Sequence, residues 1–214
     1  MSSTITLPNG NTYTCVPLPT TPGLSQFSLT MTDSVSMVPS PYVPGQVQTQ
    51  VWPGGDAWAF NFTLPKMNRM TAAPWRGFMS ELRGMANVFQ IGDPAGATPL
   101  GKAEGTPTTS GTNLTSATSL VTTGWTPSIT GQLLAGDYLQ IGFHLHQVCE
   151  AVNSDSSGNA TISIYPSLRD APASLTAITL VNCVGLFRLK NNTRTWHSDF
   201  TGLTQLSFDA TEVR

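Results

Sequence analysis

The chain has 214 residues, 39% of them hydrophobic, enough for a buried core, which excludes wholesale disorder. Only 10% are charged, against roughly 25% in an average globular domain, and the formal net charge is −2. A surface built from Thr, Ser, Asn and Gln suits a protein packed against other subunits, and without a basic footprint a general nucleic-acid binder is excluded.

Taken in order, the first seventy residues read as strands broken by Pro and Gly. Met1–Pro8 has no basic start followed by an apolar run, so no signal peptide is expected. Pro8-Asn9-Gly10-Asn11 is a turn signal. Over 25–32, Phe27, Leu29 and Met31 alternate with polar residues, the pattern of a half-buried strand. The three prolines of 39–45 make that segment a loop, and 46–52 reads as an edge strand. Over 57–64, Trp58, Phe60, Phe62 and Leu64 share one face, the strongest strand pattern in the chain.

The one convincing helical stretch follows, at about 71–84. Trp75, Phe78, Met79 and Leu82 recur at helical spacing and give a single apolar face. Thr71 is placed to cap the start, Pro74 to lie in the first turn, and Gly84 to supply the left-handed stop. Such a face must lie on a sheet, and the aromatic strand before it is the expected seat. Residues 86–91 then read as a strand.

From 97 to about 126, Gly, Thr, Ser and Pro dominate, and this stretch reads as the crossing into a second, small β unit. Its strands are expected near 133–142, 143–148 and 160–166, with a polar turn at 153–159. Three more short strands are expected at 175–181, 186–189 and 205–208. No stretch approaches the roughly 20 apolar residues of a membrane span, so membrane insertion is not expected.

Chemistry is sparsely encoded. His144 and His146 project from the same side of a strand and could hold Zn²⁺ with His197 or Glu150 as third ligand, but two strand histidines are more commonly simple polar residues. Asp137, after Gly136, could be a catalytic carboxylate, though a turn Asp bonding its own backbone is the commoner role. Cys15, Cys149 and Cys183 fit no metal or redox spacing and read as reduced, mostly buried thiols. No nucleophile elbow, phosphate-binding loop, dinucleotide fingerprint or zinc-protease motif occurs. The expectation is therefore a non-enzyme with no catalytic, cofactor-binding or metal-binding residues and no cofactor. Trp125, Trp196 and Tyr138 could stack on sugar rings, which keeps a carbohydrate-binding module as an alternative.

The order of motifs resembles a known family. Gly-Gln-Val-Gln at 45–48, Thr-Leu-Pro at 63–65, Ala-Ala-Pro-Trp-Arg-Gly-Phe-Met-Ser-Glu-Leu-Arg-Gly at 72–84, Val-Phe-Gln-Ile-Gly-Asp-Pro at 88–94, Gly-Asp-Tyr-Leu-Gln-Ile-Gly at 136–142, Ser-Asp-Ser-Ser-Gly-Asn-Ala at 154–160 and Gly-Leu-Phe-Arg-Leu at 185–189 are similar to minor tail proteins of long-tailed bacteriophages, the distal tail proteins in particular. The resemblance implies a mainly β fold. An antiparallel sandwich or barrel with one helix, residues 1–96 plus 175–214, would form a ring, and 97–174 would be a small inserted β domain. It further implies a virion protein of the tail tip, made in the host cytoplasm. The ring, commonly a hexamer, would join the tail tube protein to the hub and to fibre or receptor-binding proteins. DNA would pass through its lumen without specific binding. A tail-tube or terminator protein is the neighbouring alternative.

Overall fold

The computed structural model describes residues 2–214. In chain order the strands are β1 (Ser3–Thr6), β2 (Thr12–Cys15), β3 (Gln26–Thr32), β4 (Val35–Pro39), β5 (Val47–Val51) and β6 (Ala57–Thr63). The helix α1 (Arg69–Glu81) separates these from β7 (Phe89–Ile91), β8 (Gly105–Thr109), β9 (Ser119–Trp125), β10 (Tyr138–Ile141), β11 (His144–Val148) and β12 (Ala160–Tyr165). The last four are β13 (Ile178–Thr179), β14 (Gly185–Leu189), β15 (Trp196–Ser198) and β16 (Thr204–Glu212). The protein is mainly β, with antiparallel sheets and, among the described residues, one α-helix.

Two six-stranded sheets carry the architecture. One has the order β3-β6-β16-β14-β7, with β15 paired to β16 beside that path. The other runs β13-β10-β11-β12-β9-β8. A bridge from Thr108 to Ala177, flanked by backbone hydrogen bonds between Thr109 and residues 175 and 176, brings its two edges together. The sheet is a nearly closed barrel, filled by Leu120, Leu133, Leu139, Ile162, Ile164 and their neighbours. Strand β13, with Ile178, belongs to this barrel and not with the strands that follow it.

The first sheet is held by aromatic packing. Trp58, Phe60 and Phe62 alternate inward along β6, as the period-2 pattern predicts. Phe187 meets Phe60 edge-on with ring centroids 4.2 Å apart, and Phe208 lies 4.9 Å from Phe62. Strand β16 is a nine-residue central strand, longer than the 205–208 segment expected. Its polar alternation continues to Glu212, so the buried face ends in an acid that apolar periodicity does not register.

The helix buries Ala72, Trp75, Phe78 and Met79, and Leu82 just beyond it. Its seat is one layer removed from the expected strand. Phe78 packs on Phe89 at 5.5 Å and on Phe208 at 6.4 Å, and these two rings in turn cover Phe62. Its start also differs: Asn68 is the cap, its side-chain oxygen accepting from the Thr71 N–H at 2.9 Å and the Thr71 hydroxyl at 2.8 Å. Pro74 consequently sits inside the helix, where the Met70 carbonyl loses its partner at an exposed point of the helix. The stop comes at Leu82, followed by Arg83 and Gly84, both with positive φ. Asn68→Ala is expected to cost about 1 kcal/mol and Thr71→Ala distinctly less, as read from urea midpoints. Equal effects would return the cap to Thr71.

The two sheets meet at β11 and β14. Leu145, a barrel-strand residue, belongs to the aromatic core, and its carbonyl accepts from Trp58 Nε1 at 3.0 Å. Gly185 makes this approach possible, since a Cβ there would lie 3.0 Å from Leu145 Cβ and 2.9 Å from the Phe187 ring.

Candidate functional site

The largest unsupported feature is the hairpin β4–β5. It pairs with neither six-stranded sheet and extends the β3–β6 ladder outward. Its register opposes Val35 to Val51, Met37 to Thr49 and Pro39 to Val47. Directly opposed residues share a face, so one face carries Val35, Met37, Pro39, Val47, Thr49 and Val51, and the other Ser36, Val38, Gln48 and Gln50. Every residue of β5 is exposed, and Met37 is 61% exposed. Between Asp33 and Asp56 the chain has no Asp, Glu, Lys or Arg. Natural exposed hairpins normally carry such charges to prevent pairing with other chains, and a lone two-stranded hairpin is marginal in water. The hairpin thus combines exposure, an apolar face and no charge.

A second feature is a buried ionic seam where the two sheets meet. Arg169 forms a fork with Glu212, Nε to Oε1 at 3.2 Å and Nη2 to Oε2 at 2.6 Å. Its Nη1 lies 3.6 Å from Asp56 Oδ1, and Asp56 accepts from the Ser167 N–H and hydroxyl. Glu212 also takes the Trp58 N–H at 3.2 Å. His144 stands between two carboxylates, Nε2 at 3.4 Å from Asp170 and Nδ1 at 3.6 Å from Glu212, ion-pair distances without hydrogen-bond geometry. His146 is buried, its Nδ1 2.7 Å from the Pro166 carbonyl. The carbonyl can only accept, so Nδ1 carries the proton.

These environments fix the response to acid. Burial alone would raise the Glu212 carboxyl, but His144, the Arg169 fork and the Trp58 N–H bring it down to about 2. Burial lowers His146 from 6.5 to about 4 against the pull of Pro166 and Glu212. Both groups bind protons more readily when unfolded. The Glu212 contribution is present above its unfolded value and is lost as pH falls toward 2. Neutral His146 adds a penalty that grows as pH falls from 6.5 to 4. Stability should therefore drop on acidification, by about 2–3 kcal/mol across the upper window, and His146→Gln should flatten that window alone. Urea midpoints at pH 7, 5.5, 4 and 3 test it, and an unchanged slope in His146→Gln would contradict it.

The residues singled out from sequence are scattered. His144 and His146 lie on the barrel strand β11, His197 on the distant edge strand β15, and Glu150 is exposed beyond β11. Among the described residues no three His, Cys, Asp or Glu side chains are grouped to hold a metal ion. Asp137 is a buried turn residue that accepts from the backbone N–H groups of Leu100, Gly101 and Leu134, occupied by structure rather than open to substrate. Trp125 is buried and donates to Thr122, and Tyr138 is buried with its hydroxyl on Asp93, so neither presents a face to a sugar. Trp196 is exposed, with the Arg76 guanidinium 4.7 Å over its ring. All three cysteines are free, Cys149 alone being exposed. No helix among the described residues is long and apolar enough to cross a membrane. The hairpin face and the seam had no local signal in the sequence beyond the missing charges of 34–55.

Neither a scan against protein-family models nor a search of curated proteins returns a match for this chain.

Proposed function

We propose that the chain is a non-enzymatic structural subunit of a phage tail tip, a distal-tail-type protein that closes into a ring through its β4–β5 hairpin. The observation that carries this reading is the uncharged, amphipathic hairpin that pairs with neither six-stranded sheet and leaves its apolar face exposed. Copies of one chain most simply cover such a face by closed cyclic contact, each hairpin lying on the next subunit. The motif resemblance to minor tail proteins supplies the setting, a homohexamer between the tube and the hub or fibre proteins. The low charge of the whole chain, with 10 Lys and Arg in 214 residues, supports it further, because a lumen poor in basic residues would let DNA slide without adhering. The sugar-binding alternative rested on three aromatics, of which Trp125 and Tyr138 are buried, and it is not retained.

The direct test of the setting is immunogold labelling of phage particles that contain this chain. Label confined to the end of the tail distal to the head is expected. Label on the head, or along the whole tube, overturns the assignment.

A further inference from the structure

Beyond ring assembly, and independently of it, we propose that the cavity at the mouth of the barrel is a binding site for a small organic cation, a primary amine on an apolar stem. The cavity holds about 450 Å³, within the roughly 300–1,000 Å³ of small-molecule sites, and barrel mouths are a recurrent place for them. Its walls are mostly apolar, with Leu7, Ile141, Phe143, Leu168 and Pro172 prominent. The turn between β1 and β2 forms one lip and the segment 169–173 the other.

The polar groups at this cavity are unevenly satisfied. His144 and His146 share a face of β11 with Val148, which packs inside the barrel, while Leu145 on the other face enters the aromatic core. His146 is occupied by Pro166. The His144 side chain is only 9% exposed, yet both of its ring nitrogens lack a hydrogen-bond partner. Each instead faces a carboxylate at ion-pair distance, Nε2 that of Asp170 and Nδ1 that of Glu212. Beside it, Asp170 has a carboxylate one-third exposed at the cavity, and among the described residues no Lys or Arg pairs with it.

Charge then selects the ligand. Arg169 lines this cavity, and its guanidinium forks onto Glu212 and faces Asp56 at 3.6 Å, an ion pair in which Nη1 makes no hydrogen bond. Arg214, the other nearby cation, donates to the carbonyls of Gly54 and Asp56. Of the three carboxylates here, Asp56 and Glu212 face the Arg169 guanidinium, while Asp170 lines the cavity with an exposed face and, among the described residues, no Lys or Arg partner, so an anionic head group would meet it unfavourably. An ammonium would instead meet Asp170 in a charge-assisted hydrogen bond, with its stem against the apolar walls.

Calorimetric titration of hexylamine, hexanoate and hexanol into the whole chain tests this. Saturable hexylamine binding is expected, with hexanoate and hexanol weaker by about tenfold or more. Asp170→Asn, which alters one oxygen of a partly exposed side chain, should weaken hexylamine by about tenfold and leave hexanol unchanged. Ala173→Phe, built from an exposed position on the lip, should block all three by filling the mouth. Absence of saturable hexylamine binding overturns the proposal, as does hexanoate binding equally well or an unaltered Kd in Asp170→Asn. Should Asp170→Asn lower the thermal midpoint, Ala173→Phe decides instead, and hexylamine binding retained in it overturns the site.

Discussion

Met37→Asp combined with Val47→Asp should abolish assembly while leaving the thermal midpoint of the subunit unchanged. Both side chains lie on the apolar face of the hairpin and are exposed, at 61% and 47%, so neither supports the fold of a single chain. In an assembled ring each would be buried, where a Met or Val contributes about 1.5–3 kcal/mol relative to exposure. Introducing carboxylates there adds their desolvation. Together these should weaken association by about 100-fold or more. The matching control is Ser36→Asp with Gln50→Asp, opposed residues on the polar face of the same hairpin, which should leave assembly intact. Size-exclusion profiles of the two double variants separate the faces. An effect of equal size from both would mean that the hairpin contributes bulk solubility and no specific contact.

Glu212→Gln is expected to give the largest loss of subunit stability, about 3–5 kcal/mol at pH 7. It leaves the Arg169 guanidinium, whose side chain is 5% exposed, without its main counter-charge, and it removes the carboxylate facing His144. The same physics predicts that Glu212→Leu with Arg169→Met is milder than Glu212→Gln alone, because both charges leave together. Urea unfolding at fixed pH reads both. A loss below about 1 kcal/mol for Glu212→Gln would show that the seam is solvated enough to tolerate an unpaired guanidinium.

The sequence disclosed whatever depends on local periodicity. Trp58, Phe60 and Phe62 alternate without interruption, and Trp75, Phe78, Met79 and Leu82 hold helical spacing, so strand β6 and the helix face are legible directly. The cap is ambiguous in sequence because Asn68 and Thr71 are both good caps three residues apart, and only the backbone at Asn68, extended with ψ 168, separates them. Strand β16 runs beyond its apolar pattern because Glu212, its last buried residue, looks like a surface acid until Arg169 is brought beside it. That pairing joins residues 43 apart, and Asp56 reaches Ser167 across 111, separations that no window of sequence spans. For the same reason His144 could be flagged as a strand histidine, while its true neighbours Asp170 and Glu212 could not. Trp125 stands in a Gly- and Thr-rich stretch that reads as exposed, and closure of the barrel buries it. Of the hairpin, only 46–52 carries an edge-strand pattern in sequence; the prolines of 39–45 mask its partner β4, which is uncovered except at the half-buried Ser36.

The account rests on self-association through that hairpin, and the mass of the purified protein tests it most directly. Light scattering after size exclusion, followed by negative-stain imaging, should find a closed ring of about six copies with a central hole, the cyclic symmetry that covers each hairpin once. A particle with the mass of a single chain at every concentration, its hairpin still open to solvent, would contradict it.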